Sequence, residues 1–384
     1  MPLRSLMIAG EYFPPRTGGI SSMMAGIARH LGASRVAVLT GVPAGGERRA
    51  DHEAGIPVHR HRLPFAGGRI RQALGLGVSL PGVLLRERPA VTQAATVFDA
   101  YLSRKLRRFL GIPYLVYAHG NEIAELSDAG AWKGHLRALR EASAVLANSG
   151  YTAELVRGAG VAGDRVHVVH PGCDTDTFAP SPDEAAETAR RLGWEHGEGP
   201  VLLSVGHLVR RKGHDVVLQS LERLTSDHPD LRYLIVGTGG ERDRLEAIAE
   251  SRGVRDHVRF VGHVPDDELS GFYNLADVFV MVSRAREDAN DVEGFGIVYL
   301  EASACEVPVV GGRSGGVPDA IEDGTTGLLV DPTRPGEVAA AISRLLSDGD
   351  LARRMARAGR RRVLRHFRWP QVADRVHAIA TSLT

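Results

Sequence analysis

The sequence predicts two doubly wound α/β halves, each a parallel sheet with helices on both faces. Three observations lead there. The chain has 384 residues, beyond the ~250–300 at which a single hydrophobic core stops growing, so two domains are expected. Short apolar runs alternate with segments of helical periodicity, and the alternation restarts after Pro200. The 45 Gly and 20 Pro are spread along the chain, which suits many tight turns between short elements rather than one long linker.

In the first half the apolar runs are Leu6–Ala9, Val36–Leu39, Tyr114–Tyr117, Ala144–Ala147 and Val166–Val169. In the second they are Val201–Val205, Tyr233–Val236, Val258–Val261, Val278–Met281 and Val307–Val310. Runs of four or five residues without polar alternation are the pattern of parallel strands buried on both faces. Between the halves, Pro171-Gly172-Cys173-Asp174 through Pro180-Ser181-Pro182 is rich in turn formers. The expected domains are therefore 1–178 and 179–368. Behind them Pro370, with Val372, Val376, Ile379 and Ala380 at helical spacing, predicts a separate helix over 369–384 that packs back on the first domain.

Composition narrows the classes. Hydrophobic residues at 43% and charged residues at 24% describe a globular chain, not a disordered or fibrous one. A formal net charge of +1 gives no general pull toward nucleic acid or an acidic membrane, so any anion must be met locally. The arginines between Arg353 and Arg368 have no aromatic stacking platform among them, and a solvated helix face is expected there rather than a nucleic-acid site. Cys173 and Cys305 are too few for a disulfide framework or a thiolate metal site and are read as packing residues. Met1–Gly10 lacks a signal-peptide pattern, and no apolar stretch is long enough to span a membrane, so the expectation is a cytoplasmic protein. Leu63–Leu85, rich in apolar residues, is accompanied by Arg69, Arg71 and Arg86. A core-facing helix interrupted by Gly and Pro is the preferred reading, with peripheral contact at the inner face of a membrane as the alternative.

Three segments are suited to handling an anion. Gly18 and Gly19 follow the first strand and open a helical pattern, so backbone N–H groups there can approach a phosphate. After the strand Val201–Val205 comes Gly206-His207-Leu208-Val209-Arg210-Arg211-Lys212-Gly213, in which Lys212 can hold a diphosphate as a point charge with Arg210 and Arg211 assisting. Glu293-Gly294-Phe295-Gly296-Ile297-Val298-Tyr299-Leu300-Glu301 then places two carboxylates around a Gly-rich helix start. Free N–H groups near Gly296 would face a phosphate. Glu301, set among apolar neighbours, is costly to bury without a partner, and a ribose diol is a suitable one.

Together these segments resemble the GT-B glycosyltransferases of family 4, with phosphatidylinositol mannosyltransferases among those nearest in pattern. The resemblance covers nearly the whole chain. It rests on Pro14-Pro15 with Gly18-Gly19, Ala118-His119-Gly120-Asn121-Glu122, and Ala147-Asn148-Ser149 with Thr152. It rests further on Pro171-Gly172-Asp174 with Phe178, Arg211-Lys212-Gly213, the Glu293/Glu301 pair and Gly315-Gly316-Val317-Pro318. It implies two Rossmann-like domains facing one another across a cleft, and retaining transfer of a hexose or related sugar from a GDP- or UDP-linked donor to a hydroxyl of a lipid, glycan or small natural product. No metal or other cofactor is expected. The resemblance assigns catalytic parts to His119, Lys212 and Glu293, with Lys212 on the donor diphosphate and His119 near the reacting centre. It assigns Glu301 to the ribose, and Glu293 with Phe295, Gly296, Ile297 and Val298 to the sugar and phosphates. Gly18, Gly19, His207, Arg211 and Val264 complete the donor-binding set. Many relatives carry Arg where this chain has His207, so one cation of the usual phosphate clamp is replaced by an imidazole.

Rival readings are weaker. Asp174-Thr175-Asp176 imitates a metal-binding D-x-D signature but lies in the turn-rich linker, where Asp supplies turn hydrogen bonds. His59 with His61, and His167 with His170, lack a third ligand at recognisable spacing. Val236-Gly237-Thr238-Gly239-Gly240 suggests an NAD-dependent oxidoreductase, yet the third glycine of that fingerprint is replaced by Arg242. A nucleotide-sugar-binding protein of the same fold without turnover is the non-enzymatic alternative.

Overall fold

A computed structural model describes residues 3–42, 55–64, 68–123, 133–194, 199–286 and 291–384, with the backbone alone for 42, 62–64 and 68–77. The chain divides into two compact units, Met1–Gly172 with Trp369–Thr384, and Cys173–Arg368.

Unit 1 runs β1 (Ser5–Ile8), α1 (Gly19–Leu31), β2 (Val36–Val42), β3 (Val58–Pro64), α2 (Gly68–Glu87), β4 (Val91–Ala94), α3 (Ala100–Leu110), β5 (Tyr114–Ala118), α4 (Lys133–Arg140), β6 (Ala144–Ala147), α5 (Gly150–Gly158) and β7 (Val166–Val168). Its strands pair in parallel in the order β3-β2-β1-β4-β5-β6-β7. Side chains alternate across the sheet as strand geometry requires. Leu6, Ile8, Ala37 and Leu39 face α2 and α3, while Met7, Ala9, Val36 and Val38 face α1.

Unit 2 runs α6 (Pro182–Arg191), β8 (Val201–Val205), α7 (His214–Asp227), β9 (Arg232–Val236), α8 (Arg242–Ser251), β10 (Val258–Gly262), α9 (Leu269–Leu275), β11 (Val278–Met281), α10 (Ile297–Ala304), β12 (Val309–Gly312), α11 (Val317–Ala320), β13 (Gly327–Val330), α12 (Pro335–Ser347) and α13 (Gly349–His366). Its parallel sheet has the order β10-β9-β8-β11-β12-β13. Both units are doubly wound, and each strand order reverses once, between β1 and β4 and between β8 and β11.

Three strands were not among the apolar runs. β3 is an edge strand with a polar sequence, Val58-His59-Arg60-His61, and β13 is a short apolar run, Gly327–Val330. β4 carries Thr92 and Gln93 in the buried centre of the sheet, where Gln93 is satisfied from both sides. Its Nε2 donates to Ser5 Oγ at 2.6 Å, and its Oε1 accepts from the Tyr117 hydroxyl at 2.7 Å, which offsets the cost of burying an amide.

The unit boundary lies before residue 178, at Gly172/Cys173. The physical reason is that 173–178 is held by the second unit. Cys173 N donates to Phe367 O at 2.7 Å, Cys173 bridges to Arg368, and the Phe178 ring packs edge-on against Tyr273 at 5.6 Å. Cys173 and Cys305 are both free and buried. Beyond Arg368 the chain returns to unit 1 as α14 (Trp369–Thr381), whose Trp369, Val372, Ala373 and Val376 join Met23, Met24 and Ile27 of α1 in one core. The Trp369 indole lies so near Gly26 and Gly172 that a Cβ on either would fall 2.5 Å from it.

Pro81 lies inside α2 without ending it, contrary to the interruption expected there. The rest of that expectation, the side chains from Leu63 to Gly77, falls outside the described residues. No helix among the described residues is long and apolar enough to cross a membrane.

Candidate functional site

In a doubly wound sheet, ligands bind beyond the carboxyl ends of the strands where the order reverses. In unit 2 that point lies between β8 and β11, and the loops leaving these two strands carry the residues singled out above. The β8 loop turns through Arg210–Lys212 into α7, with Gly213 as the N-cap at φ 74°. A side chain at Gly213 would be strained by that left-handed backbone, and its Cβ would sit 2.2 Å from the Val282 carbonyl oxygen of the β11 loop. Glycine thus lets the two loops close on one another.

Their closure brings Lys212 to Glu293. Lys212 Nζ donates to Glu293 Oε2 at 2.5 Å, both side chains being about nine-tenths buried. Arg211 Nε stands 4.0 Å from the same oxygen and 3.4 Å from Asp291 Oδ1, and Ser283 Oγ donates to Glu293 Oε2 at 3.4 Å. Burial pushes the Glu293 carboxyl up, but Lys212, Arg211 and the donated hydrogen bonds outweigh it and hold it below its ordinary range. Glu293 therefore stays ionised. Behind the loop, Arg284 N donates to Arg211 O at 2.8 Å. The Arg284 guanidinium reaches Asp215 at 2.9 Å, and Arg244 reaches the same carboxylate at 3.1 Å. His214, next in sequence to this loop, is pushed down to about 4 by burial and by the charge of Lys212, so it is neutral and the local positive charge stays on Lys212 and Arg211.

Gly296 is the N-cap of α10 at φ 96°, so the first N–H groups of that helix, at Ile297 and Val298, have no partner within it. One turn in, Glu301 accepts a hydrogen bond from the Tyr273 hydroxyl at 2.6 Å. Burial pushes the Glu301 carboxyl up to about 7. The Tyr273 bond and Lys212 pull against that shift, and Asp266 adds to it. Val264 is buried beside a cavity of about 190 Å³ that it shares with His263, Pro265 and Phe272.

His207 is exposed on the β8 loop. Arg210 does not stand in for the missing arginine, because its Nε is turned to Glu241 at 3.4 Å. The glycines of the dinucleotide-like segment are used for packing between loops. A Cβ on Gly237 would lie 2.0 Å from Gly206 O, and one on Gly239 2.4 Å from Leu208 O. Leu208 N donates to Thr238 O at 3.0 Å, so backbone occupies the space a pyrophosphate would need. The D-x-D look-alike is a turn in which Asp174 Oδ1 accepts from the N–H groups of Asp176 and Thr177 at 3.1 and 3.2 Å. His59 is tied to Glu87 at 2.8 Å.

Unit 1 has its own cluster around its switch point. Gly18 is the N-cap of α1 and Gly19 its first residue, with open space where side chains would stand. His119, at the end of β5, is buried, and its Nε2 lies 2.8 Å from Ala95 O. A carbonyl only accepts, so Nε2 carries the proton and Nδ1 is the acceptor in the neutral ring. The loop is locked by His119 N donating to Glu122 Oε1 at 2.5 Å and Asn148 Nδ2 donating to His119 O at 3.1 Å. Asp99, between these elements, accepts from Thr96 Oγ1 at 2.9 Å. Burial pushes its carboxyl up to about 7, against the Thr96 hydrogen bonds.

Sequence reasoning missed Tyr273, Ser283, Asp291, Asp99 and the Asp215–Arg284 brace. None carries a local motif, and Tyr273, Asp291 and the Asp215–Arg284 brace act through contacts with distant segments.

Comparison with known proteins identifies the family. Residues 17–177 match the family described as Glycosyltransferase Family 4, and residues 187–362 match Glycosyl transferases group 1. The chain is 34% identical over 375 residues to a GDP-mannose-dependent alpha-(1-6)-phosphatidylinositol monomannoside mannosyltransferase of Mycolicibacterium smegmatis, covering 95% of each. It is 40% identical over 195 residues to a D-inositol 3-phosphate glycosyltransferase of Acidothermus cellulolyticus, covering 48% of this chain and 41% of that one. In fold it is similar to Anabaena HepE in complex with UDP, with a TM-score of 0.82 at 19% identity over 99% of this chain and 100% of that one. The chain belongs to the family 4 glycosyltransferases of GT-B fold.

Proposed function

We propose that this protein is a retaining glycosyltransferase that moves a sugar from a nucleoside-diphosphate donor to a lipid or inositol-type hydroxyl. The Lys212–Glu293 pair at the unit 2 switch point carries this reading. The near-complete match to a GDP-mannose-dependent enzyme acting on a phosphatidylinositol mannoside supports GDP-mannose as donor and a glycolipid as acceptor.

In this reading the acceptor oxygen attacks the anomeric carbon as the bond from that carbon to the diphosphate oxygen breaks. The acceptor proton passes to the departing phosphate on the same face. Charge developing on the leaving group is met by Lys212 and the N–H groups opening α10, without a metal. Glu293 holds Lys212 in place and accepts from the sugar hydroxyls, and ionised Glu301 accepts from the ribose diol. Val264 and its neighbours flank the base. In unit 1, the protonated Nε2 of His119 is fixed by Ala95 O, which leaves Nδ1 as an acceptor for a ligand hydroxyl.

The test is incubation with GDP-mannose and UDP-glucose, assaying released nucleoside diphosphate and the anomeric configuration of the product. Release with retention supports the proposal. Nucleotide binding without release from any sugar nucleotide tried would favour the sensor of the same fold, and an inverted product would overturn the mechanism.

A further inference from the structure

The turn that carries Lys212 runs into a buried charge that the transfer step above does not use. Asp215, in the first turn of α7, is 6% exposed. Its Oδ2 accepts from Arg284 of the β11 loop at 2.9 Å and from Arg244 of α8 at 3.1 Å. Burial pushes its carboxyl up, but Arg284 and Arg244 outweigh that and hold it below the ordinary carboxylate range, so it stays ionised. One carboxylate oxygen thus gathers the segments that follow three adjacent strands, β9, β8 and β11.

Each guanidinium ties a different segment to the Lys212 turn. Arg284 is anchored twice, because its N–H also donates to Arg211 O at 2.8 Å. The β11 loop is therefore fastened on both sides of Lys212, by main chain to Arg211 and by side chain to Asp215. Ser283, next to Arg284, donates to Glu293, the partner of Lys212. Arg244 works from the other side of the turn. Its second nitrogen reaches Glu241 at 2.8 Å, and Glu241 N donates to Leu208 O at 3.1 Å, so α8 grips the start of the β8 loop while Asp215 secures its end. An exposed ion pair constrains little, whereas a buried carboxylate shared by two guanidiniums dictates where their chains run, since losing one partner strands a charge. The chain dictated here is the one whose cations face the leaving group, and such groups act only when held where charge develops.

We infer that Asp215 is a positioning residue for the transfer, which through Arg284 fixes the turn presenting Lys212 and Arg211 to the departing diphosphate. This rests on the diphosphate reading of that turn, and the two are tested separately.

The kcat and donor KM of the full-length protein are measured with the sugar nucleotide it turns over in the release assay above. Asp215→Asn and Arg284→Gln should each lower kcat about tenfold to a hundredfold, the scale of a misplacement near 1 Å. Donor KM should move far less, because charge on the leaving group peaks in the transition state. Asp215→Glu keeps the charge and should recover much of the loss. The double change Asp215→Asn/Arg284→Gln should be no slower than the slower single, since both act along one path. Melting temperatures identify any variant that fails to fold. Arg284→Gln keeps the bond from its N–H to Arg211 O and leaves Asp215 paired with Arg244, so it carries the test if Asp215→Asn does not fold. A brace that only stabilises would lower the melting temperature and leave kcat of the folded protein unchanged. That result, a change confined to KM, or losses that multiply in the double variant would overturn the inference alone, provided Lys212→Ala abolishes release. No release by the unchanged protein, or undiminished release by Lys212→Ala, would overturn the diphosphate reading and the inference with it.

Discussion

Lys212 and Glu293, eighty-one positions apart in sequence, share a charged hydrogen bond of 2.5 Å in the buried floor of the unit 2 switch point. Because both partners are out of water, the pair is a commitment of the fold as well as of the site. Removing one partner leaves the other charge buried, which costs about 3–5 kcal/mol.

Lys212→Met is therefore expected to lower stability by that amount. It should also reduce turnover by about 10²–10³, the usual loss for one charge-stabilising donor. The double change Lys212→Met/Glu293→Gln should recover part of the stability and none of the turnover. Denaturant unfolding and nucleoside diphosphate release check the two halves separately.

With Glu301 at the ribose, as proposed, donor binding is expected to depend on pH. A ribose diol donates to the ionised carboxylate, whereas burial favours the neutral form and pushes the group up to about 7. Nucleotide affinity should rise with pH through about 7 and level off above it. Without ligand the sign is opposite, since a carboxyl raised by folding costs stability as pH climbs from the ordinary carboxylate range through about 7. The Tyr273 hydroxyl lowers this pKa, so Tyr273→Phe should move the affinity midpoint upward. Titration calorimetry with the nucleoside diphosphate across pH would reveal it.

Gly213→Ala adds a Cβ 2.2 Å from Val282 O at a backbone φ of 74°. Strain of ~1–3 kcal/mol from the backbone alone, with displacement of the β11 loop, should weaken nucleotide affinity together with stability. Thermal shift with and without nucleotide separates the two.

Trp369→Ala should destabilise unit 1 by about 3–5 kcal/mol, the cost of truncating a large buried aromatic, since its indole fills the space between Gly26 and Gly172. Protection of unit 2 amides, Leu203 and Leu234 among them, should change little in hydrogen exchange.

The alternation of apolar runs marked most of the strands because a strand buried on both faces needs no polar residue. It missed β4, where Gln93 is buried yet bonded to Ser5 and Tyr117, since satisfaction of a polar group by strands far away in sequence leaves no local trace. Lys212, Glu293 and Glu301 were legible because loops after strands and Gly-rich helix starts are where anion chemistry collects. Tyr273, twenty-eight residues before Glu301, was not, and neither was Asp215 with its two arginines. The boundary shifted to Gly172/Cys173 for the same reason, since Cys173 is held by Phe367 and Arg368.

The return of α14 to unit 1 has a consequence for the order of synthesis. Residues 173–368 carry every strand of their own sheet and leave the ribosome as one stretch, so unit 2 can complete its core first. Unit 1, begun earlier, still lacks Trp369 and Val376 at that moment, and its α1 face stays uncovered until they emerge. The half made first is thus finished last, and nascent-chain force profiles should record two folding events in that order.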